Sequence, residues 1–215
     1  MRPVIFLFAK APLAGSVKTR LVGPVGDAAE VAELYQCFVR DMLELLAGFA
    51  TEADLELRTD AQTPCWSDVP VPRGLQSAGD LGRRMLDALA SALDSGRPQA
   101  IIVGSDAPTL PPSHLRRLLD SPADVALGPC QDGGYYAIAC RRVHPRMFAG
   151  VEWSAASALE QTVAAATRCG LRVELGEPWF DVDTPGDLER LARSALPRHT
   201  GGWFGRRTPK PSREQ

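Results

Sequence analysis

Apolar and polar residues alternate along the chain in two periods. A continuous apolar run, Val4–Ala9, has the length of a buried strand. From Asp27 to Gly48 the period changes. Val31, Leu34, Tyr35, Phe38, Met42, Leu45 and Leu46 recur at helical spacing, behind an Asp27/Glu30 capping box. Leu55–Thr59 alternates as a strand. Ser77-Ala78-Gly79-Asp80 reads as a second capping box, opening a helix through Leu93. Ala100–Gly104 is wholly apolar, as expected of a central parallel strand. Pro111 and Pro112 start a short helix to Leu119, and Val125–Leu127 and Tyr135–Ala139 are strands flanking a glycine turn. A helix over Ala155–Arg168 and a strand over Leu171–Leu175 follow. Thr184-Pro185-Gly186-Asp187 caps a last helix to about Leu196, with proline at its first position. The repeated βα order predicts one α/β domain over residues 1–196, with a mostly parallel mixed sheet and helices on both faces. From Pro197 the composition turns to Arg, Gly, Pro and Ser, so residues 197–215 read as an irregular basic tail.

Composition narrows the function classes. A formal net charge of −2 over 215 residues gives no broad attraction to nucleic acid or an anionic membrane, so any anion must be bound by a local cluster. Five cysteines without a CxxC speak against a disulfide framework or a structural zinc site and for a cytoplasmic protein. The run at Val4–Ala9 is short and leads into basic residues, so it reads as a strand rather than a signal peptide, and no stretch reaches the length of a membrane span.

In open α/β sheets ligands bind outside the carboxyl ends of the strands. Each unusual polar cluster of this chain falls at such an end. After the first strand come Lys10, Gly15, Ser16, Lys18, Thr19 and Arg20, a combination that suits phosphate oxygens, although the spacing is not that of a Walker A loop. After the fourth, Ser105-Asp106 puts a carboxylate at the tip of a buried strand. It is either a Mg²⁺ ligand or a turn residue. Asp132-Gly133-Gly134 is either a hairpin turn or a polar, backbone-lined wall of a binding site. Asp181 and Asp183, two apart in an extended segment, point the same way. Two such carboxylates repel unless a cation lies between them, unless Asp183 instead caps the last helix. Trp153, beside Ser154, reads as core. Scattered histidines speak against a catalytic triad.

Five segments together, Phe8–Leu21, Gln76–Met85, Gly104–Leu110, Gly128–Ile138 and Asp181–Leu188, resemble the bacterial transferase 1 proteins associated with radical-SAM/selenodomain genes, formerly DUF2064. The resemblance implies the nucleotide-diphospho-sugar transferase superfamily and a Rossmann-like GT-A fold. It implies a nucleotide over the first loop with Lys10, Gly15, Lys18 and Arg20 near it. Ser105, Asp132, Gly133 and Gly134 would complete the binding site. Asp106, with Asp181 or Asp183, would hold Mg²⁺ or Mn²⁺, and Asp106, Lys18 and Arg20 would carry catalysis. Ala107 stands where the family often has Cys, and Ala155 where Thr is frequent; neither change removes a charge. The function so implied is a metal-dependent glycosyltransferase that uses a nucleotide sugar and a small-molecule acceptor. A nucleotidyltransferase that takes a nucleoside triphosphate, acts on a small phosphorylated acceptor and releases pyrophosphate is the alternative. A catalytically silent nucleotide-binding protein is a third reading.

Overall fold

A computed structural model describes residues 1–153 and 155–207. Ser154 and the tail beyond Arg207 lie outside the described residues. The strands are β1 (Val4–Ala9), β2 (Asp54–Thr59), β3 (Arg73–Leu75), β4 (Ala100–Gly104), β5 (Val125–Pro129), β6 (Tyr135–Cys140) and β7 (Val173–Leu175). The helices are α1 (Ala28–Ala47), α2 (Leu81–Asp94), α3 (Pro112–Asp120), α4 (Ala158–Arg168), α5 (Pro185–Ala192) and α6 (Arg198–Arg207). The strands form one sheet in the order β3-β2-β1-β4-β6-β5-β7, parallel except where β6 pairs antiparallel with β4 and β5.

The buried strand β1 shows why both faces are covered. Ile5, Leu7 and Ala9 point into one core with α1, α3, α5 and α6; Val4, Phe6 and Phe8 point into another with α2 and α4. A strand with apolar residues on both faces must be packed on both. In register, Phe8 lies opposite Gly104 and Ala9 opposite Thr59, so the loops leaving β1, β2 and β4 start side by side. β2 and β4 flank β1 on opposite sides, which makes this edge a topological switch point.

Local chemistry sets most boundaries. Asp27 accepts from Ala29 and Glu30, and Glu30 closes the capping box on the Asp27 amide. Thr184 and Asp187 form a second box at α5. At α2, however, the cap is Asp80, which accepts the Arg83 amide at 2.8 Å, and not Ser77, whose hydroxyl is buried without a partner. Gly79, at φ 111, brings the chain in so that the carboxylate stands directly at the helix start. α4 begins at Ala158, three residues later than its pattern predicts. The edge strand β3 carries no apolar pattern because Arg73 and Leu75 are exposed.

The expectation of an irregular tail is corrected over 198–207. The last predicted helix ends at Ala192, and a further helix, α6, packs on α1. Three glycines make α6 a poor helix by itself. Its stability comes from α1. The buried Asp41 carboxylate accepts from the His199 amide (2.8 Å), the Thr200 amide (2.9 Å) and the Thr200 hydroxyl (2.5 Å), and so caps α6 from another helix. Trp203 is 3% exposed in the core, and Arg207 lies 4.3 Å from its ring and donates to the Val25 carbonyl. No described helix is long and apolar enough to cross a membrane.

The docking of α6 predicts a large stability cost on truncating its anchor. Trp203→Ala should destabilise the protein by about 3–5 kcal/mol, read from the midpoint of denaturant unfolding. A change near zero would mean that α6 contributes no packing.

Candidate functional site

A cavity of about 410 Å³ opens at the carboxyl ends of β1 and β4. Its polar wall is built from three loops. Lys10 and Lys18 come from the segment after β1, Ser105 and Asp106 from that after β4, and Asp181 and Asp183 from the segment before α5. The last approaches because the Val182 amide donates to the Asp106 carbonyl at 2.8 Å, while the Val182 side chain is fully buried. Alternation about Val182 turns Asp181 and Asp183 to the cavity, as the extended segment predicts.

Lys18 is the centre of the cluster. Its Nζ lies 2.8 Å from Asp106 Oδ1 and 2.6 Å from Asp183 Oδ1, with only 5% of its side chain exposed. Burial disfavours the ammonium, but the charges of Asp106 and Asp183 outweigh it and hold the pKa above the ordinary lysine value. Both carboxylates keep open surface, 40% and 42% of their side chains, toward the cavity. The Lys18 backbone is left-handed, at φ 47 and ψ 42, a conformation costly to a residue with a Cβ. Its carbonyl takes the Leu21 amide, and the two ion pairs fix the side chain.

Asp181 differs from its neighbour. Burial, then the charge of Asp106, push its carboxyl up to about 7, against the opposing effects of a Cys130 thiol hydrogen bond and of Lys18. Burial, then the Asp181 charge, push the Cys130 thiol well above its ordinary range. Cys130, Asp132 and Asp181 have donor atoms within 4.8 Å of one another. Asp181 thus sits toward the β5–β6 turn, whereas Asp183 shares a cation with Asp106.

Gly15, Arg20, Asp132, Gly133 and Gly134 do not line this cavity, although Asp132 reaches within 4.8 Å of the Asp181 carboxylate at its wall. Arg20 is exposed on a single 3₁₀ turn, Thr19–Leu21, and Gly15 (φ 77) marks the outer tip of the same loop. The Asp132 side chain accepts the Gly134 amide at 2.9 Å, a turn contact. A Cβ on Gly133 would collide with the Ala156 carbonyl, so that glycine permits a close approach of backbone to backbone. Trp153 packs edge-on to Tyr135 and Phe148.

Among the cavity residues absent from the expected site, three make polar links. Tyr35 looks like core by spacing, yet its hydroxyl accepts the Lys10 amide at 2.8 Å and lies 2.9 Å from the Ser105 hydroxyl, tying β1 to β4. Gln76 donates to the carbonyls of Ala9 and Arg58, each at 3.1 Å, and so staples the ends of β1 and β2. Arg84 reaches the cavity from α2 with its guanidinium on the Gly79 carbonyl. The polar group on an otherwise apolar helix stripe was the available signal for Tyr35. Gln76 and Arg84 lie inside a motif that carried the resemblance without a role.

A family model described as "Uncharacterized protein conserved in bacteria (DUF2064)" matches residues 46–155. A Desulfovibrio desulfuricans G20 protein provisionally named a nucleotide-diphospho-sugar transferase is 36% identical, with 89% of this chain and 86% of that one covered at a TM-score of 0.79. A CMP:2-keto-3-deoxy-manno-octonic acid synthetase complexed with CTP shares the fold at 15% identity, covering 88% of this chain and 96% of that one, TM-score 0.56. So does the T. maritima inositol-1-phosphate CTP transferase at 14% identity, covering 87% and 91%, TM-score 0.52. No curated protein sequence matches the chain. The switch-point cavity, the motifs that line it and these likenesses agree: the chain belongs to the bacterial DUF2064 family and has the fold of the nucleotide-diphospho-sugar transferases.

Proposed function

We propose that the protein is a transferase that draws its activated group from a nucleotide held over the loop after β1, and that this group is a sugar. One observation carries the reading: Asp106 and Asp183, from separate loops, converge on a single cation in the switch-point cavity. The name given to the 36% identical relative supports the sugar. The pair fits a divalent ion, since carboxylates able to share one cation, and still open to the cavity, are the hard oxygen ligands Mg²⁺ or Mn²⁺ takes. Such an ion, when bound, offsets negative charge on the leaving phosphates.

The chain's own residues do the rest. Lys10, Lys18 and Arg84 ring the cavity with positive charge and hold phosphate oxygens. Tyr35 and Gln76 keep the ends of β1, β2 and β4 in fixed relation, so these charges are in place before the donor arrives. Asp181 and Tyr135 form the wall left for the acceptor. The same cationic ring favours a second reading, nucleotidyl transfer from a triphosphate, because pyrophosphate carries more charge to be neutralised.

Asp106→Asn keeps size and removes a charge, so it should lower turnover roughly a hundredfold or more, and a chelator should do the same to the wild type. Undiminished activity in either case removes the metal from the mechanism, and nucleotide binding without turnover would mark a silent binder. In chelator, Lys18→Ala should weaken nucleotide binding by about tenfold, and Arg20→Ala, outside the cavity wall, by much less. Equal losses by calorimetry would draw Arg20 into the site. The leaving group decides the donor: a nucleoside diphosphate from a nucleotide sugar supports glycosyl transfer, and pyrophosphate without turnover of any nucleotide sugar replaces it with nucleotidyl transfer.

A further inference from the structure

We infer that the Lys18 ammonium is an exchangeable occupant of the Asp106–Asp183 site, so that a divalent metal enters only as donor phosphates draw the lysine away. The inference rests on the function proposed above and adds to it an order: the free protein binds metal weakly, and nucleotide and metal bind together.

The geometry makes the two cations competitors. Lys18 Nζ is within 2.8 Å of both Asp106 Oδ1 and Asp183 Oδ1, so it already satisfies the two carboxylates. A divalent ion drawn to those oxygens would stand a few ångströms from a buried ammonium. Like charges so close, with little water between them, repel strongly. Either the metal stays out or the ammonium moves.

The lysine cannot simply retreat. Its side chain is 5% exposed, and a charged group leaving such a place needs another anion. Asp181, the next carboxylate lining the cavity, is turned toward Cys130 and the β5–β6 turn. Phosphate oxygens brought into the cavity supply the missing partner. The flexible four-carbon stem lets Nζ swing, while the left-handed backbone, held by the Leu21 amide, stays where it is. Metal and nucleotide are then linked reciprocally: each raises the affinity for the other by the same factor, ordinarily about 5–150-fold.

The test titrates Mn²⁺ alone, without nucleotide, into wild type, Lys18→Met and Lys18→Arg, reading free Mn²⁺ by electron paramagnetic resonance. Lys18→Met should bind Mn²⁺ at least about tenfold more tightly than wild type. Lys18→Arg, which keeps the charge, should stay weak, and adding Asp183→Asn to Lys18→Met should abolish the gain. Circular dichroism melting checks the fold of each variant, and Lys18→Gln replaces Lys18→Met if the latter fails to fold. Mn²⁺ binding to Lys18→Met no tighter than to wild type overturns the exchange, as does tight binding to Lys18→Arg. A second arm adds UDP, CDP, ADP or GDP. Beyond its own Mn²⁺ binding in protein-free solution, the nucleotide that binds should tighten Mn²⁺ by a larger factor in wild type than in Lys18→Met; equal tightening in both overturns the coupling. If none of the four binds, the nucleotide reading fails, while the comparison with Mn²⁺ alone still decides the exchange.

Discussion

The parallel pairing of β1 with β4 is the constraint on which the rest depends. It places Phe8 opposite Gly104, and the two strands therefore end together. The loop bearing Lys10 and Lys18 and the loop bearing Ser105 and Asp106 leave the sheet as neighbours. Neither loop needs to be rigid by itself, because the hydrogen-bond ladder sets their origin and Tyr35 fastens one to the other. The pairing in turn requires apolar side chains on both faces of β1, which is why one helix layer cannot suffice.

From this frame the site gains its third wall. The Asp181–Asp183 segment is no strand of the sheet, yet its Val182 amide bonds to the Asp106 carbonyl and its side chain fills the core. One buried residue thus aims two charged ones. Their unlike surroundings then give neighbouring carboxyls different chemistry. Asp183 is matched to an ammonium, whereas Asp181 lies deeper, beside a thiol, and burial makes it hold a proton more firmly than an ordinary carboxyl.

What could be read in the sequence followed from how local its cause is. β1, β4, α1 and the capping box at Asp27 rest on neighbouring residues, and their pattern is plain. The clustering of Lys18, Asp106 and Asp183 was legible from the rule that strand ends gather ligands. The pairing of Asp106 with Asp183 rather than Asp181 was not, because it depends on the depth at which each side chain lies. β3 escaped notice because an edge strand of three mostly exposed residues has no alternation to show. α6 escaped because its capping group, Asp41, lies 158 and 159 positions away from the groups it caps. Tyr35 was read as core, which it is, but a hydroxyl inside a core is also a polar link.

The borrowed cap of α6 has a kinetic side. A ten-residue helix rich in glycine does not persist alone. It can form only once α1 presents Asp41 and a pocket for Trp203, and so it follows α1 in a folding chain. Detachment takes Trp203 out of the core cluster it shares with Ile5 and Leu7 of β1. It also releases the Val25 carbonyl, at the far end of the segment that carries Lys18, from Arg207. The carboxyl-terminal helix and the segment after Lys18 are therefore tied at one point, through a side chain that leaves with α6.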